Sequence, residues 1–231
     1  HKLGKMINSG NAHYNLLKGI SLCAQAIKIN YALELLETQS IFSLKKYIQE
    51  LFSQANVKQS KGVQQLIKDP LFGKAYSEII KLKIEHPKLK LLTEAIQKEL
   101  FENPSSKFIV FSQYREMSSL ITKELAKIKD LEPKLFIGQQ KKKNLGLNQK
   151  EQKEIISSFK KGKINCLVST SIGEEGLDLP EVKSVIFYEP VPSAIRKIQR
   201  SGRTARLNPG KIIILLTKNT RDEKYYWTAH Q

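Results

Sequence analysis

The pattern of apolar residues changes at residues 103–106, and this change constrains the fold more than any other feature of the chain. After the polar segment NPSS, short and continuously apolar runs alternate with amphipathic helical patterns. Strands that are apolar throughout are buried on both faces, which is typical of a parallel sheet between layers of helices. We predict strands at 108–111, 135–137, 166–168, 185–188 and 212–216, and helices at 116–128, 149–160, 194–200 and from 221 onward. The sequence therefore predicts an α/β fold of right-handed strand–helix–strand units, with ligand sites at the carboxyl ends of the strands.

Residues before this point show only helical periodicity. Apolar side chains recur at spacings of three and four, the pattern of helices with one buried face. Pro87 should interrupt the pattern, because proline lacks an amide donor and restricts the residue before it. We predict these inward positions: Ile20, Ala24, Ile27, Tyr31 and Leu35; Ile41, Leu44, Ile48 and Leu51; Ala75, Ile79 and Leu82; Leu89, Leu92, Ile96 and Leu100. An all-α region, 1–85, is thus expected before the α/β region, 86–231.

The formal net charge of +17 points to a polyanionic partner, with nucleic acid ahead of an acidic membrane. The alternative is a Lys-rich protein without such a partner. Cys23 and Cys166 are far apart and form no disulfide framework, which fits a reducing, cytoplasmic location. No apolar run approaches the ~20 residues needed to span a bilayer, so no membrane partner is expected. The chain starts at His1 without methionine, and we expect it to be part of a longer protein.

Three arginines in the segment QRSGRTAR (199–206) lie at the end of a predicted helix. The guanidinium group is always charged and its fork of donors fits phosphate oxygens. Arg203 and Arg206, three residues apart, can converge on one phosphate and stabilise charge that develops during its transfer. The alternative is a solvated basic helix end that is favoured by the helix dipole.

Two further polar segments follow predicted strands. In STSIGEEGLDLP (169–180), small hydroxyl residues can bond a backbone phosphate, glycines such as Gly176 allow close approach, and Asp178 can accept a bond from a sugar hydroxyl. The alternative is an ordinary loop with helix-capping residues. The second segment is FSQYR (111–115), which is weakly informative by itself.

The order and spacing of these three segments resemble motifs IV, V and VI of superfamily 2 helicases. Residues 105–220 resemble the second RecA-like lobe of that superfamily throughout, and the Hef and FANCM branch most closely. The segments that carry the resemblance are FIGQ (136–139), QKEQ (149–152), GEEGLDLP (173–180), YEPVPS (188–193) and TRDEKYYW (220–227). Ala205 departs from the pattern, since the family usually has glycine there. RIG-I-like RNA helicases share much of the lobe but not the Tyr-Tyr-Trp ending.

The resemblance implies ATP and Mg²⁺ as cofactors, bound mainly by an N-terminal RecA-like lobe. It implies that Arg203 and Arg206 are arginine fingers, that Gln199 contacts the nucleotide or that lobe, and that Gly176 and Asp178 lie at the nucleotide, with Asp178 at the ribose. No phosphate-binding loop of the form Gly-x-x-x-x-Gly-Lys-Ser/Thr occurs in the 231 residues. No metal site is expected in this chain.

The resemblance further implies a track for one nucleic-acid strand, formed by Ser112, Arg115, Gly138, Gln139 and Thr170. Hef-like proteins carry a helical insert between their motor lobes that contacts duplex or branched DNA. Residues 1–85 are expected to be the end of such an insert. The alternative is a helical cap over the sheet.

The resemblance thus implies the C-terminal motor lobe of an ATP-dependent helicase or translocase on forked or branched DNA. RNA is an alternative substrate, because contacts to phosphates carry no base identity. A nucleic-acid-binding module without ATPase activity is a second alternative, although a pure binder does not need the paired arginines. A structure-specific nuclease is a third, since archaeal Hef proteins carry such a domain further along the chain, but no cluster of nuclease carboxylates occurs in these residues.

Overall fold

The structure is a computed structural model that describes residues 14–57, 60–137, 147–170, 182–191 and 210–230. The chain divides into two compact units, His1–Glu85 and His86–Gln231. The predicted helix at 194–200 lies outside the described residues.

The first unit is helical, with α1 (Tyr14–Thr38), α2 (Ile41–Asn56), α3 (Lys61–Lys68) and α4 (Pro70–Lys81). Two caps explain where the helices begin. The side chain of Ser40 accepts a bond from the Ser43 amide at the start of α2. Asp69 accepts bonds from the Leu71 and Phe72 amides before α4, where Pro70 takes a position that has no need of an amide donor.

The buried face of α2 is the predicted one, since Ile41, Leu44, Ile48 and Leu51 are all buried. Two predictions for the neighbouring helices are wrong. Ile27 is 68% exposed on α1. The reason is that polar side chains occupy part of the packed face, where Ser21 and Gln25 bond to Gln65 of α3.

Ala75 is exposed on α4, and this position was also wrongly predicted. Phe72, Tyr76 and Ile79 pack inward instead. Aromatic rings reach the facing helices where a methyl group does not, and the ring of Phe52 on α2 lies 4.5 Å from that of Tyr76. Leu82 lies just beyond the end of α4.

The second unit has a five-stranded sheet in which all paired strands are parallel, in the order β2-β3-β1-β4-β5. The strands are β1 (Phe108–Phe111), β2 (Pro133–Phe136), β3 (Cys166–Ser169), β4 (Ser184–Phe187) and β5 (Lys211–Ile214). The helices are α5 (Pro87–Glu102), α6 (Arg115–Leu125), α7 (Gln149–Lys160) and α8 (Arg221–His230). Three central strands, β1, β3 and β4, are buried along their whole length, as their apolar runs predict. Ser169 at the end of β3 and Ser184 at the start of β4 are polar residues that are buried with them.

Helices cover both faces of this sheet. On one face, α5 and α6 form a buried cluster with alternate strand residues that include Phe108 and Val110. On the other face, Ile156 and Phe159 of α7 pack with Ile109 and Phe111. The predicted parallel sheet between helical layers, preceded by an all-α region, is confirmed.

Candidate functional site at the carboxyl edge of the sheet

The carboxyl ends of β1 and β3 meet at one edge of the sheet. Phe111 pairs with Ser169 at the end of the two strands. The Ser112 amide donates to the carbonyl oxygen of Ser169, with 2.9 Å between the two atoms. Ser169 is the residue directly before Thr170. The structure therefore brings two of the predicted strand-contacting residues, Ser112 and Thr170, to adjacent strand ends.

Ser112 and its neighbours differ in how much they face outward. Ser112 is only 2% exposed, and its hydroxyl donates to Glu189 Oε1 at 3.3 Å. Gln113 is exposed, while Arg115, the first residue of α6, and Thr170 are half-buried. In this conformation Gln113, Arg115 and Thr170 can meet a ligand at the edge, whereas the Ser112 hydroxyl faces the interior.

Glu189 lies just beyond β4 and joins that strand to the turn after β1. The preceding residue, Tyr188, donates its amide to the Phe111 carbonyl at 2.8 Å, which brings Glu189 beside the turn. Glu189 Oε1 accepts a bond from the Gln113 amide as well as from Ser112. Oε2 is buried and has no hydrogen-bond partner among the residues that the structure describes.

Burial raises the pKa of Glu189 to about 7, although the Gln113 amide and the positive charge of Lys88 oppose the rise. A carboxyl group with one unpaired, buried oxygen is costly to ionise, because water no longer solvates the charge. Glu189 is therefore a titratable group placed directly behind the turn between β1 and α6.

A buried ion pair lies near Glu189. Lys88 Nζ and Asp222 Oδ2 are 2.8 Å apart, and Nζ also lies 4.8 Å from the centre of the Tyr188 ring. The second bond to Asp222 Oδ2 comes from the Thr217 amide at 3.0 Å. Burial lowers the pKa of Lys88, and the charge of Asp222 opposes this shift.

The sequence pattern predicts no individual role in this site for Lys88, Gln113, Glu189 or Asp222. Asp222 lies in the first turn of α8 and is buried against Lys88. One signal was present, since a carboxylate directly after a continuously apolar strand is costly to bury without a partner. Lys88 gave no signal, being one lysine among many.

Seven of the predicted site residues lie outside the described parts of the chain, and their roles stay predictions. They are Gly138, Gln139, Gly176, Asp178, Gln199, Arg203 and Arg206.

The described residues contain no group of three or more His, Cys, Asp or Glu side chains that could hold a metal ion. Cys166 is buried in the centre of the sheet, and burial raises the pKa of its thiol. His86 caps α5 by accepting a bond from the Lys88 amide. Within the described ranges, no helix is both long and apolar enough to cross a bilayer.

The parallel sheet, its helices on both faces and the polar groups at its carboxyl edge define a RecA-like α/β domain. Comparison with known families agrees: the family "Helicase conserved C-terminal domain" matches residues 88–208. This chain belongs to that helicase family. Residues 1–86 match a second family, described as "Putative ATP-dependent RNA helicase, helical bundle".

Known proteins resemble the chain across both units. The helicase domain of Hef from Pyrococcus furiosus is 43% identical, with a TM-score of 0.79, over 97% of this chain and 47% of that one. A putative ATP-dependent RNA helicase of Methanocaldococcus jannaschii is 39% identical over 94% of this chain and 27% of its own length. The putative ATP-dependent DNA helicase fml2 of Schizosaccharomyces pombe is 40% identical over 65% of this chain and 20% of its own. The chain thus spans about a quarter of these curated relatives.

Proposed function

We propose that this chain is the C-terminal motor lobe of an ATP-dependent DNA helicase or translocase that acts on forked or branched DNA. The observation that carries the proposal is the edge where β1 and β3 end side by side, with Gln113, Arg115 and Thr170 able to meet phosphates. Hydroxyl, amide and guanidinium groups bind backbone phosphates without reading bases. The resemblance to fml2, which is named as a putative DNA helicase, supports DNA as the substrate.

The ATP site of the longer protein would be shared between two lobes. ATP and Mg²⁺ are bound mainly by an N-terminal RecA-like lobe, which supplies the phosphate loop that does not occur in these 231 residues. This chain contributes Arg203 and Arg206 to the γ-phosphate, Gln199 to the nucleotide or that lobe, and Asp178, near Gly176, to the ribose. ATP would supply the γ-phosphoryl group, and its transfer to water would drive opening and closing between the lobes.

The helical unit would extend the nucleic-acid surface. It carries twelve lysines against six acidic side chains and no arginine, so it attracts phosphates by charge without base readout. Two strands of a fork offer more phosphates than one strand, so this unit should matter more for forks.

The test is binding of the chain to a labelled fork and a labelled single strand while salt rises from about 50 to 200 mM. We expect weak affinity that falls steeply with salt and ignores base sequence. Deleting 1–85 should weaken fork binding more than strand binding, and Thr170→Ala should weaken both.

The control variant is Thr228→Ala, on the exposed side of α8 and remote in sequence from the strand ends. Affinity that ignores salt, or that depends strongly on base sequence, would refute the proposal. RNA versions of the same fork and strand decide the substrate, since equal or tighter RNA binding would favour an RNA helicase.

A further inference from the structure

The turn between β1 and α6 is held from behind by a buried carboxyl group. One oxygen of Glu189 accepts bonds from both the Gln113 amide and the Ser112 hydroxyl. Gln113 and Ser112 precede Glu189 by 76 and 77 residues in the chain. The two hydrogen bonds therefore connect the end of β1 to the end of β4.

This contact separates two neighbouring side chains. Ser112 is turned inward toward Glu189, and Gln113, one residue later, is exposed. Since the Gln113 amide is one of the two anchored groups, the direction in which this residue leaves the sheet depends on Glu189. Arg115 follows two residues further on, as the first residue of α6.

We propose that Glu189 is a positioning residue, which holds the turn after β1 so that Gln113 and Arg115 face the bound strand. The inference rests on the proposed function, because it concerns how that strand site is shaped. Glu189 itself, 3% exposed, does not touch the strand and acts only through the turn.

The surroundings of Glu189 explain why a carboxyl group can serve here. Among the described residues, Lys88 from α5 and Asp222 from α8 are the charged groups that act on it, and the positive charge of Lys88 opposes the cost of burial. The bonds to Gln113 and Ser112 need only an acceptor at Oε1, which a glutamine side chain also offers.

Two substitutions of Glu189 test whether an acceptor oxygen is sufficient. Glu189→Gln keeps an acceptor oxygen of the same shape, so strand affinity should stay within about twofold of the parent chain. Glu189→Ala leaves both donors without their acceptor, so the turn is no longer held, and strand affinity should fall about tenfold.

Two controls separate positioning from general damage. Val185→Ala creates a cavity in the same strand, β4, where Val185 is fully buried, and should lower stability without weakening strand binding. Thr170→Ala acts on the end of β3 and has no bond to Glu189, so it reports on the strand site independently. All affinities are measured well below each variant's melting temperature.

A spectroscopic readout follows the contact itself. In a ¹⁵N-labelled chain, the Gln113 amide proton should shift downfield as pH rises through about 7, because the bonded carboxyl becomes ionised. The shift should be lost in Glu189→Gln and kept in Val185→Ala.

Each outcome counts for or against one idea. If Glu189→Ala binds strand as Val185→Ala does while Thr170→Ala is weakened, positioning is wrong and the strand site stands. If Glu189→Gln loses affinity as severely as Glu189→Ala, the carboxyl charge matters and positioning by an acceptor is wrong. If Thr170→Ala has no effect and binding ignores salt, the proposed function itself fails.

Discussion

Lys88 and Asp222 lie 134 residues apart and form a buried ion pair, with 2.8 Å between Nζ and Oδ2. The lysine is in the first turn of α5 and the aspartate in the first turn of α8. The pair therefore joins the first and last described helices of the α/β unit. Both side chains are at most 2% exposed, so water solvates neither charge.

Removing one partner of this pair should be strongly destabilising, because the other charge stays buried. We expect Lys88→Met to lower the free energy of unfolding by about 3–5 kcal/mol, measured by urea denaturation. Adding Asp222→Asn should recover part of the loss, since asparagine removes the charge and still accepts from the Thr217 amide.

Lys90→Met is the matched control for Lys88→Met. Lys90 forms an exposed pair with Glu94 on the same helix, with 3.7 Å between charged atoms. Such surface pairs contribute at most about 1 kcal/mol. Equal losses for Lys88→Met and Lys90→Met would contradict the buried-pair account.

Glu189 should make stability depend on pH. Its pKa is about 7 in the fold against an ordinary 4.5, so between these values the folded state holds a proton that the unfolded state has lost. The contribution of Glu189 to stability is therefore fully present below about pH 4.5 and is lost as pH rises through 7. Between pH 5 and 8 this loss is at most about 3 kcal/mol.

The measurement is the free energy of unfolding of the parent chain and of Glu189→Gln across this pH range. The variant should lack this component and be the more stable of the two at pH 8. Lys88 acts in the opposite direction, because its lowered pKa means that the unfolded state holds the extra proton. Comparing parent and variant isolates Glu189, and parallel pH curves for the two would refute the assignment.

The start of α7 offers a smaller and separate test. Asn148 accepts from the Glu151 amide, and the Glu151 side chain accepts in return from the Asn148 amide. Asn148→Ala should cost about 1 kcal/mol of stability in urea denaturation. Lys150→Ala, an exposed change in the same turn, should stay within about 0.5 kcal/mol of the parent, and a loss as large as that of Asn148→Ala would argue against the cap.

Much of the fold could be predicted because its signals are local. Buried parallel strands are apolar runs in the sequence, and this pattern predicts both ends of β1 correctly. The amphipathic pattern of α7 predicts both ends of that helix correctly. Other strand bounds moved by one or two residues: β4 begins at Ser184, a polar residue that is nevertheless buried. The short helix α3 was not predicted.

The contacts that shape the edge could not be predicted, because they join residues far apart in sequence. Nothing local shows that Glu189 accepts from the Gln113 amide, or that this turns Ser112 inward. The prediction that Ile27 is buried was wrong for a related reason, since periodicity cannot show that polar Ser21 and Gln25 occupy the packed face. Sequence pattern reports which faces are apolar, while the choice of partner is a property of the whole fold.

The 231-residue chain alone should not turn over ATP, since it has no phosphate loop. Phosphate release would be measured with and without DNA. Turnover above ~0.01 per second would contradict the expectation, because even slow complete motors run faster.

Arg203 and Arg206 provide the sharpest test of the motor assignment, in the longer protein. An arginine finger acts on charge that grows in the transition state, and fingers supplied in trans raise turnover by roughly 10³–10⁵. Lysine lacks the planar fork of donors, so Arg206→Lys should lose turnover nearly as completely as Arg206→Ala. Both variants should keep strand binding in the absence of nucleotide.

Thr170→Ala should behave in the opposite way, losing strand affinity first and turnover only as a consequence. The measurements are DNA-stimulated ATP turnover and strand affinity for the three variants. If Arg206→Ala keeps its turnover and loses DNA, this arginine binds the strand rather than the nucleotide, and its assignment as an arginine finger is wrong.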